Sequence, residues 1–449
     1  MHRSRALLVS EPGGAIAGQD ISDIHVAKPD GTTACATPAF APAAGERDPW
    51  RVPGEWSAQF NGSLDLEAVA ARMQRYTMAD GNAGPLCGDV PALVEPAASI
   101  TDNTAHVYCD DPASIGRSQV RLLVGVISSP AMKSRRDAIR TTWAGVPSRT
   151  ALVCFVLGSR VPSQARLTAM SEERAAHRDV IWLPRAVDGC GTQYAPISKF
   201  LFFWKAAAAI LEVAPAIAHV AKVDDDSFVH LPNLEADLAR LHCVRHLSYG
   251  RFAWLGVRPS PLAVCGFSWP AIPHAYLRRG CASRGFHPPT PFAVGMLQLL
   301  SRDVVLSLAA SRDAERFVLE AGPTPPKEED AVLGFWVSRV SRKLNLTHVR
   351  VGGRMSDIAC NAHRGQGPLQ QIAPEAMSGA LVVHQLKTAG GQHYIWDLIH
   401  GGVPHQHGNC SYWTKSADHR ECWADPDPTC RPWNNNKRRH KTSPRPPTG

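Results

Sequence analysis

The sequence lacks the glycine-rich and nucleophile motifs that mark several large enzyme classes. A Walker A loop is absent, and the first strongly apolar segment runs into SSPAMKSRR without a GxGxxG motif. These absences disfavour P-loop nucleotide hydrolases and dinucleotide-dependent dehydrogenases. A GxSxG motif is also absent, so the chain has no nucleophile elbow of the α/β-hydrolase type.

Long apolar runs and paired cysteines are missing as well. Because no uninterrupted apolar run reaches about 18 residues, the sequence shows no clear transmembrane helix. The 12 cysteines include no CxxC pair, which argues against structural zinc. Disulfides in an oxidising lumen and free buried thiols are the two interpretations left open. Sequons at Asn61, Asn345 and Asn409 add weight to a secretory route.

Charge is low and unevenly placed. Charged residues make up 20% of the 449 residues, and the net charge is +8. Residues 431–449 hold +6 of that charge without a single acid, so the rest of the chain is nearly neutral. A basic tail of this kind indicates a solvated end rather than a nucleic-acid-binding surface, and we expect no nucleic-acid partner.

The chain divides into three predicted regions. Residues 1–116 are rich in Ala, Pro and Gly and are predicted to be a low-complexity stem or linker. From 117 to 401, apolar β-branched segments alternate with helical segments, which predicts an α/β domain with a mostly parallel sheet and helices on both faces. Residues 402–449, rich in Cys, Trp and Pro, are predicted to be an irregular, basic C-terminal extension.

The strongest chemical feature is the segment AKVDDDSFVHL, in which three carboxylates follow an apolar strand. Adjacent carboxylates repel one another, and a hard divalent cation such as Mn²⁺ or Mg²⁺ would offset that repulsion. Side chains alternate in an extended chain, so Asp224 and Asp226 are predicted to share one side while Asp225 anchors the turn from the other. A solvated acidic turn is the alternative interpretation.

Two further positions are weaker candidates. The acidic run Glu328, Glu329 and Asp330 could simply favour a helix N-terminus, or it could place one carboxylate in a cleft as a general base. Both interpretations can hold at once. His384 follows an apolar, strand-like run, and it is either a structural histidine or a ligand.

Taken in order, these segments resemble glycosyltransferase family 31, the β-1,3-galactosyltransferase-like enzymes. The resemblance is carried by LLVGVISSP, by RRDAIRTTW, by FVLG, by ISKFLFFW with Lys199, by AKVDDDSFVHLPNL, by EEDAVLG and by the late segment with His384 and Lys387. It spans about residues 119–400. One departure is that PFAVGMLQLLSRD keeps only Gly295 of the family's glycine-rich stretch.

The resemblance implies a GT-A-type, Rossmann-like mixed sheet, a UDP-sugar donor with UDP-galactose favoured, and a glycan or glycoprotein acceptor. It also implies Mn²⁺, with Mg²⁺ as the alternative, and inversion at the anomeric carbon. A Golgi lumenal site and membrane association are implied too, although no anchor is evident in this sequence.

Residue by residue, the resemblance assigns roles as follows. The metal ligands would be Asp226, Asp224 and His384. Asp330 would be the catalytic base. The donor would be bound with the help of Asp224, Asp225, Lys199 and Arg140. Two competing functions remain: a non-catalytic relative that binds a sugar nucleotide or glycan, and a metal-dependent phosphohydrolase.

Overall fold

The computed structural model describes residues 77–80 and 107–401, apart from 147, 149, 161–163, 189–194, 260–261, 269–273, 313, 315–328, 341–343 and 358–377. The predicted C-terminal extension, 402–449, and most of the predicted stem, 1–116, therefore lie outside the described residues. The boundaries at 116/117 and 401/402 stay predictions.

The described strands are β1 Thr77–Asp80, β2 Leu122–Ile127, β3 Ala151–Arg160, β4 Val180–Val187, β5 His219–Asp224, β6 Phe228–Val229, β7 Leu247–Pro259, β8 Leu262–Ser268, β9 Thr290–Ser301, β10 Thr347–Arg350, β11 Met355–Asp357 and β12 Val382–His384. The described α-helices are α1 Pro112–Gly116, α2 Lys133–Thr141, α3 Gln164–His177, α4 Ala195–Val213, α5 Leu231–Arg240, α6 His274–Arg278, α7 Arg302–Ala309, α8 Glu329–Val340 and α9 Ala389–Ile399. Short 3₁₀ turns cover Pro130–Met132, Trp143–Gly145 and Ala282–Arg284.

Most of these strands form one mixed sheet in the order β1-β10-β7-β9-β5-β2-β3-β4, with β8 added on β7. The block β5-β2-β3-β4 is parallel throughout, as is β7-β10-β1. Strand β9 joins the two blocks by running antiparallel to both β5 and β7. The predicted Rossmann-like mixed sheet flanked by helices is confirmed.

Strand alternation explains why the sheet is covered on both faces. In β5, Val220 packs into one apolar cluster, whereas Ala221 and Val223 pack into the other. The first cluster includes Trp204 of α4 and residues of α7 and α8; the second includes Ile139 of α2 and residues of α5 and α9. Successive side chains of a strand point to opposite faces, so an unbroken apolar run of this kind buries both sides.

A second, three-stranded sheet in the order β11-β12-β6 lies beside the first. Strand β12 pairs antiparallel with β6, which follows β5 after a short turn. This pairing brings a C-terminal segment to the carboxyl end of β5, which is where the acidic run begins. The small sheet therefore determines which distant residues meet the three aspartates.

Two segments assigned to the stem contribute to the folded domain. Thr77–Asp80 adds strand β1 beside β10, and Cys109 forms a disulfide with Cys154 of β3. A second disulfide joins Cys265 and Cys281. These four cysteines therefore form disulfides and are not free buried thiols. None of the described helices is long and apolar enough to cross a membrane.

Candidate active site

The site lies where the order of the parallel strands reverses. The chain leaves β2 toward β3 and β4, then returns to place β5 on the other side of β2. Ile127, the last residue of β2, is the register partner of Asp224, the last residue of β5. Crevices form outside the carboxyl ends of strands at such a switch point, and they are the usual ligand sites of open α/β sheets.

Asp224, Asp226 and His384 converge in this crevice. His384 Nε2 lies 3.1 Å from Asp226 Oδ1 and 3.7 Å from Asp224 Oδ2. One ligand atom from each residue falls within 4.8 Å of the other two. Two carboxylate oxygens and one imidazole nitrogen are common ligands of divalent metal ions. The residues therefore fit a divalent cation, and the predicted alternation that joins Asp224 with Asp226 is what the structure shows.

Asp225 points the other way and anchors the turn. Its carboxylate accepts hydrogen bonds of 2.8 Å from Ser128 Oγ and from Arg135 Nη1. Burial raises the pKa of Asp225, while the Arg135 guanidinium opposes that rise. These contacts do not favour a role for Asp225 in donor binding, because both of its carboxylate oxygens already have protein partners. Its anchoring role is the one that the geometry supports.

The segment that carries His384 wraps around Asp226. Leu386 donates its backbone N–H to the Asp226 carbonyl at 2.8 Å, and the Lys387 ammonium contacts Asp226 Oδ2. Burial alone would raise the pKa of Asp226, but His384 and Lys387 outweigh it and hold that pKa well below its ordinary value. Asp226 is therefore an anion in the folded protein, as a metal ligand must be.

Lys222 connects Asp224, a candidate metal ligand, to Asp330, the candidate base. This fully buried lysine of β5 contacts Asp224 Oδ1 at 2.6 Å and Asp330 Oδ1 at 3.5 Å. Its ammonium also lies 4.2 Å above the ring of Phe200 in α4. Although burial would lower the pKa of Lys222, Asp224 and Asp330 raise it, so the buried ammonium stays charged.

Asp330 sits in the first turn of α8 and faces the same crevice. Its Oδ2 accepts a 2.7 Å hydrogen bond from the Gly295 N–H, and its Oδ1 accepts one of 3.2 Å from Gln298 Nε2. Burial, followed by the charge of Asp224, raises the pKa of Asp330, while Lys222 opposes the rise. A carboxylate fixed in this way and raised in basicity suits a general base.

Gly295 is the point where Asp224 and Asp330 approach each other. A Cβ at this position would lie 2.5 Å from Asp224 Oδ2 and 2.9 Å from both carboxylate oxygens of Asp330. The glycine that the sequence retains is therefore the one whose missing side chain leaves room for both carboxylates. Asp330 lies in the first turn of a helix and also faces the crevice, so the two interpretations of the acidic run are compatible, and the role of general base stays a prediction.

The structure does not bring Lys199 and Arg140 to the carboxylate cluster. The Lys199 ammonium is buried against Asp188 and donates to the Ser128 carbonyl at 2.7 Å. Arg140 binds Asp179 and Glu173 instead. Their predicted contact with the donor is not supported by this geometry, because each cation is already paired with buried or partly buried carboxylates. Lys199 instead holds the backbone of Ser128, which in turn binds Asp225.

Sequence reasoning missed the roles of Lys222, Arg135 and Lys387. A signal existed for Lys222, because a lysine between apolar residues of a buried strand needs a partner carboxylate. Arg135 lies on α2, and it joins the aspartate turn to the segment that carries His384. Its guanidinium binds both Asp225 and the carbonyl of Lys387. No local pattern links residues 252 positions apart, so this contact could not be read from sequence.

The family model for galactosyltransferase matches residues 134–344. Mouse beta-1,3-galactosyltransferase 6 is 28% identical over 280 residues, covering 61% of this chain and 76% of that protein. Over residues 134–344, which are somewhat less than half of its length, the chain is similar to the galactosyltransferase family. It is a glycosyltransferase, and the resemblance to the β-1,3-galactosyltransferase-like enzymes is confirmed.

Two solved glycosyltransferases are also similar to this chain. One acts in glycosylation of the major capsid of PBCV-1, with 10% identity, coverage of 61% of this chain and 98% of that one, and a TM-score of 0.29. The other is the mannosyltransferase PcManGT from Pyrobaculum calidifontis in complex with GDP-Man and Mn²⁺, with 14% identity, coverage of 54% and 57%, and a TM-score of 0.27. With TM-scores below 0.5, neither carries an argument here.

Proposed function

We propose that the chain is an inverting, metal-dependent hexosyltransferase that moves galactose from UDP-galactose to a hydroxyl of a glycan or glycoprotein in β-1,3 linkage. The observation that carries the proposal is that a triad able to hold a cation and the Asp330 carboxylate meet beside Gly295. Such a pair supplies what sugar transfer needs: stabilisation of the leaving diphosphate and deprotonation of the acceptor.

Asp224, Asp226 and His384 would hold Mn²⁺, with Mg²⁺ as the alternative. When bound, the cation neutralises the charge that develops on the diphosphate leaving group. Asp225 fixes the turn between the two aspartate ligands through Ser128 and Arg135. A second group of three metal-ligating side chains is not found among the described residues, so a two-metal phosphohydrolase site has no support there.

Asp330 would take the proton from the acceptor hydroxyl. The acceptor oxygen then forms a bond to the anomeric carbon while the bond from that carbon to the diphosphate oxygen breaks, and UDP leaves with the electron pair. A single displacement of this kind inverts the anomeric configuration and needs no covalent enzyme intermediate. Lys222 would keep Asp330 and Asp224 at fixed positions through its contacts with both.

A secretory, oxidising compartment fits the same proposal, and the Golgi is the one that the family implies. The Cys109–Cys154 and Cys265–Cys281 disulfides are of the kind that persists in such compartments. Asn345 lies exposed between α8 and β10, where a glycan could be attached.

The experiment that tests the proposal is calorimetric titration of the full chain with UDP, with and without MnCl₂. We expect metal-dependent binding, and we expect Asp226→Asn to weaken it by at least tenfold because an anionic ligand is lost. Asp137→Asn is the matched control, because Asp137 pairs with Lys133 on the exposed side of α2. An affinity for UDP that stays the same when a chelator removes the metal would contradict the proposal.

Turnover is the second measurement. With UDP-galactose and whichever member of a glycan acceptor panel supports transfer by the wild type, Asp330→Asn is expected to lower kcat by about 10²–10⁴-fold while leaving UDP affinity near that of the wild type. A non-catalytic protein would bind UDP in a metal-dependent way but would transfer no sugar, with or without Asp330→Asn.

A further inference from the structure

Cationic side chains face the acidic crevice with very different exposures. The side chain of Lys222 is fully buried and that of Arg135 is 6% exposed, whereas that of Lys387 is 29% exposed. Lys222 lies on the floor between Asp224 and Asp330, and the guanidinium of Arg135 binds Asp225 and a carbonyl. Lys387 is therefore the cation of these three whose side chain has room to move at the mouth of the crevice.

The backbone of Lys387 is held by contacts that do not involve its side chain, whose ammonium contacts Asp226 Oδ2. Arg135 donates to the Lys387 carbonyl from Nε at 3.2 Å and from Nη2 at 2.9 Å. On one side, Leu386 is bound to the Asp226 carbonyl; on the other, Thr388 caps helix α9. The ammonium can therefore change partners only within the reach of one lysine side chain, which keeps it close to the metal site.

Asp226 uses different oxygens for its two neighbours. Oδ1 lies 3.1 Å from His384 Nε2, and Oδ2 contacts the Lys387 ammonium. A divalent cation that takes Oδ1 would neutralise the carboxylate that attracts Lys387 and would also repel the ammonium. Over a few ångströms both effects exceed thermal energy in a partly buried site. A diphosphate bound to that cation would offer the ammonium new anionic oxygens at the same place.

We propose that Lys387 binds the diphosphate of the nucleotide donor, exchanging Asp226 for a phosphate oxygen when metal and nucleotide enter the site. The inference rests on the proposed function, because it requires a nucleoside diphosphate in this crevice. It assigns Lys387 a role in donor binding rather than in holding the metal. The exchange moves no covalent bond and keeps the ammonium paired with an anion before and after.

The test is a comparison of the wild type and Lys387→Met, both as the full chain. Calorimetry with UDP in MnCl₂ is expected to show about a tenfold or greater loss of affinity, which corresponds to one charge-assisted hydrogen bond. UMP, which lacks the second phosphate, should lose less. Mn²⁺ alone, followed by electron paramagnetic resonance, should bind Lys387→Met at least as tightly as the wild type, because a nearby cation has been removed.

Two further variants complete the design. Lys387→Arg retains the charge and should recover most of the UDP affinity. Lys133→Met removes an exposed lysine paired with Asp137 and should change neither titration. A Lys387→Met variant that binds UDP as the wild type does would overturn the inference, as would equal losses of Mn²⁺ and UDP affinity, which indicate a merely structural role. If the wild type itself fails to bind UDP with Mn²⁺, the proposed function fails instead.

Discussion

At the scale of single residues, the site is a balance of buried charges. Asp225 faces Arg135, Asp226 faces His384 and Lys387, and Asp224 shares Lys222 with Asp330. Each buried carboxylate thus has a cationic neighbour, which is what makes its burial tolerable. Gly295 adds no charge, but its lack of a side chain determines how closely Asp224 and Asp330 can approach.

Gly295→Ala is expected to disturb both carboxylates at once. Because the new Cβ would lie 2.5 Å from Asp224 Oδ2, either the strand or the acidic side chains must move. Overpacking of this kind costs about 1–3 kcal/mol of stability. We expect a lower melting temperature and a loss of transferase activity, measured by thermal denaturation and by UDP release.

Gly353→Ala provides the matched control for that substitution. A Cβ at Gly353 meets no atom within 4 Å, so neither stability nor activity should change. A Gly295→Ala variant as active as the wild type would show that Asp224 and Asp330 do not need their observed positions.

At the scale of elements, the N-terminus of α8 carries two opposing effects. Helix N-termini favour ionised carboxylates by about 0.3–1 kcal/mol. Burial and the nearby charge of Asp330 act against ionisation and prevail, since they raise the pKa of Glu329 to about 8. Glu329 is therefore protonated in the folded protein at neutral pH, and this has a consequence for the pH dependence of stability.

In the unfolded chain Glu329 loses its proton near its ordinary pKa of 4.5, whereas the folded protein keeps it until about pH 8. Between these values the folded state binds more protons, so the stability due to this group falls as pH rises. Glu329→Gln, which cannot ionise, should therefore lose less stability than the wild type between pH 5 and 8. Melting temperatures measured in the presence of a chelator check this, and parallel curves would contradict the raised pKa.

The regular elements were accessible from sequence, and the small sheet was not. The runs LLVGVIS, ALVCFVLG and AHVAKV are largely apolar, as strands buried on both faces are, and they form β2, β3 and β5. In contrast, β6, β11 and β12 have only two or three residues each, and such lengths carry no periodic signal. The sequence therefore predicted that His384 follows a strand, but not that β12 pairs with β6 and carries His384 to the aspartates.

At the scale of the whole molecule, the parallel core is tied to the segment that precedes it. The Cys109–Cys154 disulfide closes a loop of 45 positions between that segment and β3. Replacing both cysteines with alanine is expected to lower the free energy of unfolding by about 2–4 kcal/mol, because the unfolded chain regains freedom. Chemical denaturation measures the change, and the wild type in reducing buffer should lose at least as much, because the Cys265–Cys281 bond is reduced as well. A pair of coincident denaturation curves would rule out a stabilising role for this bond.

The residues that surround Asp226 are synthesised long after Asp226 itself. Lys387 lies 161 positions after Asp226, so a ribosome translates the three aspartates long before the segment that neutralises one of them. Until β12 reaches β6, the growing chain holds Asp226 without His384 or Lys387. Strand β12 thus completes the charge balance as well as the proposed metal site, and a nascent chain released before residue 382 would hold the three aspartates without His384 and Lys387.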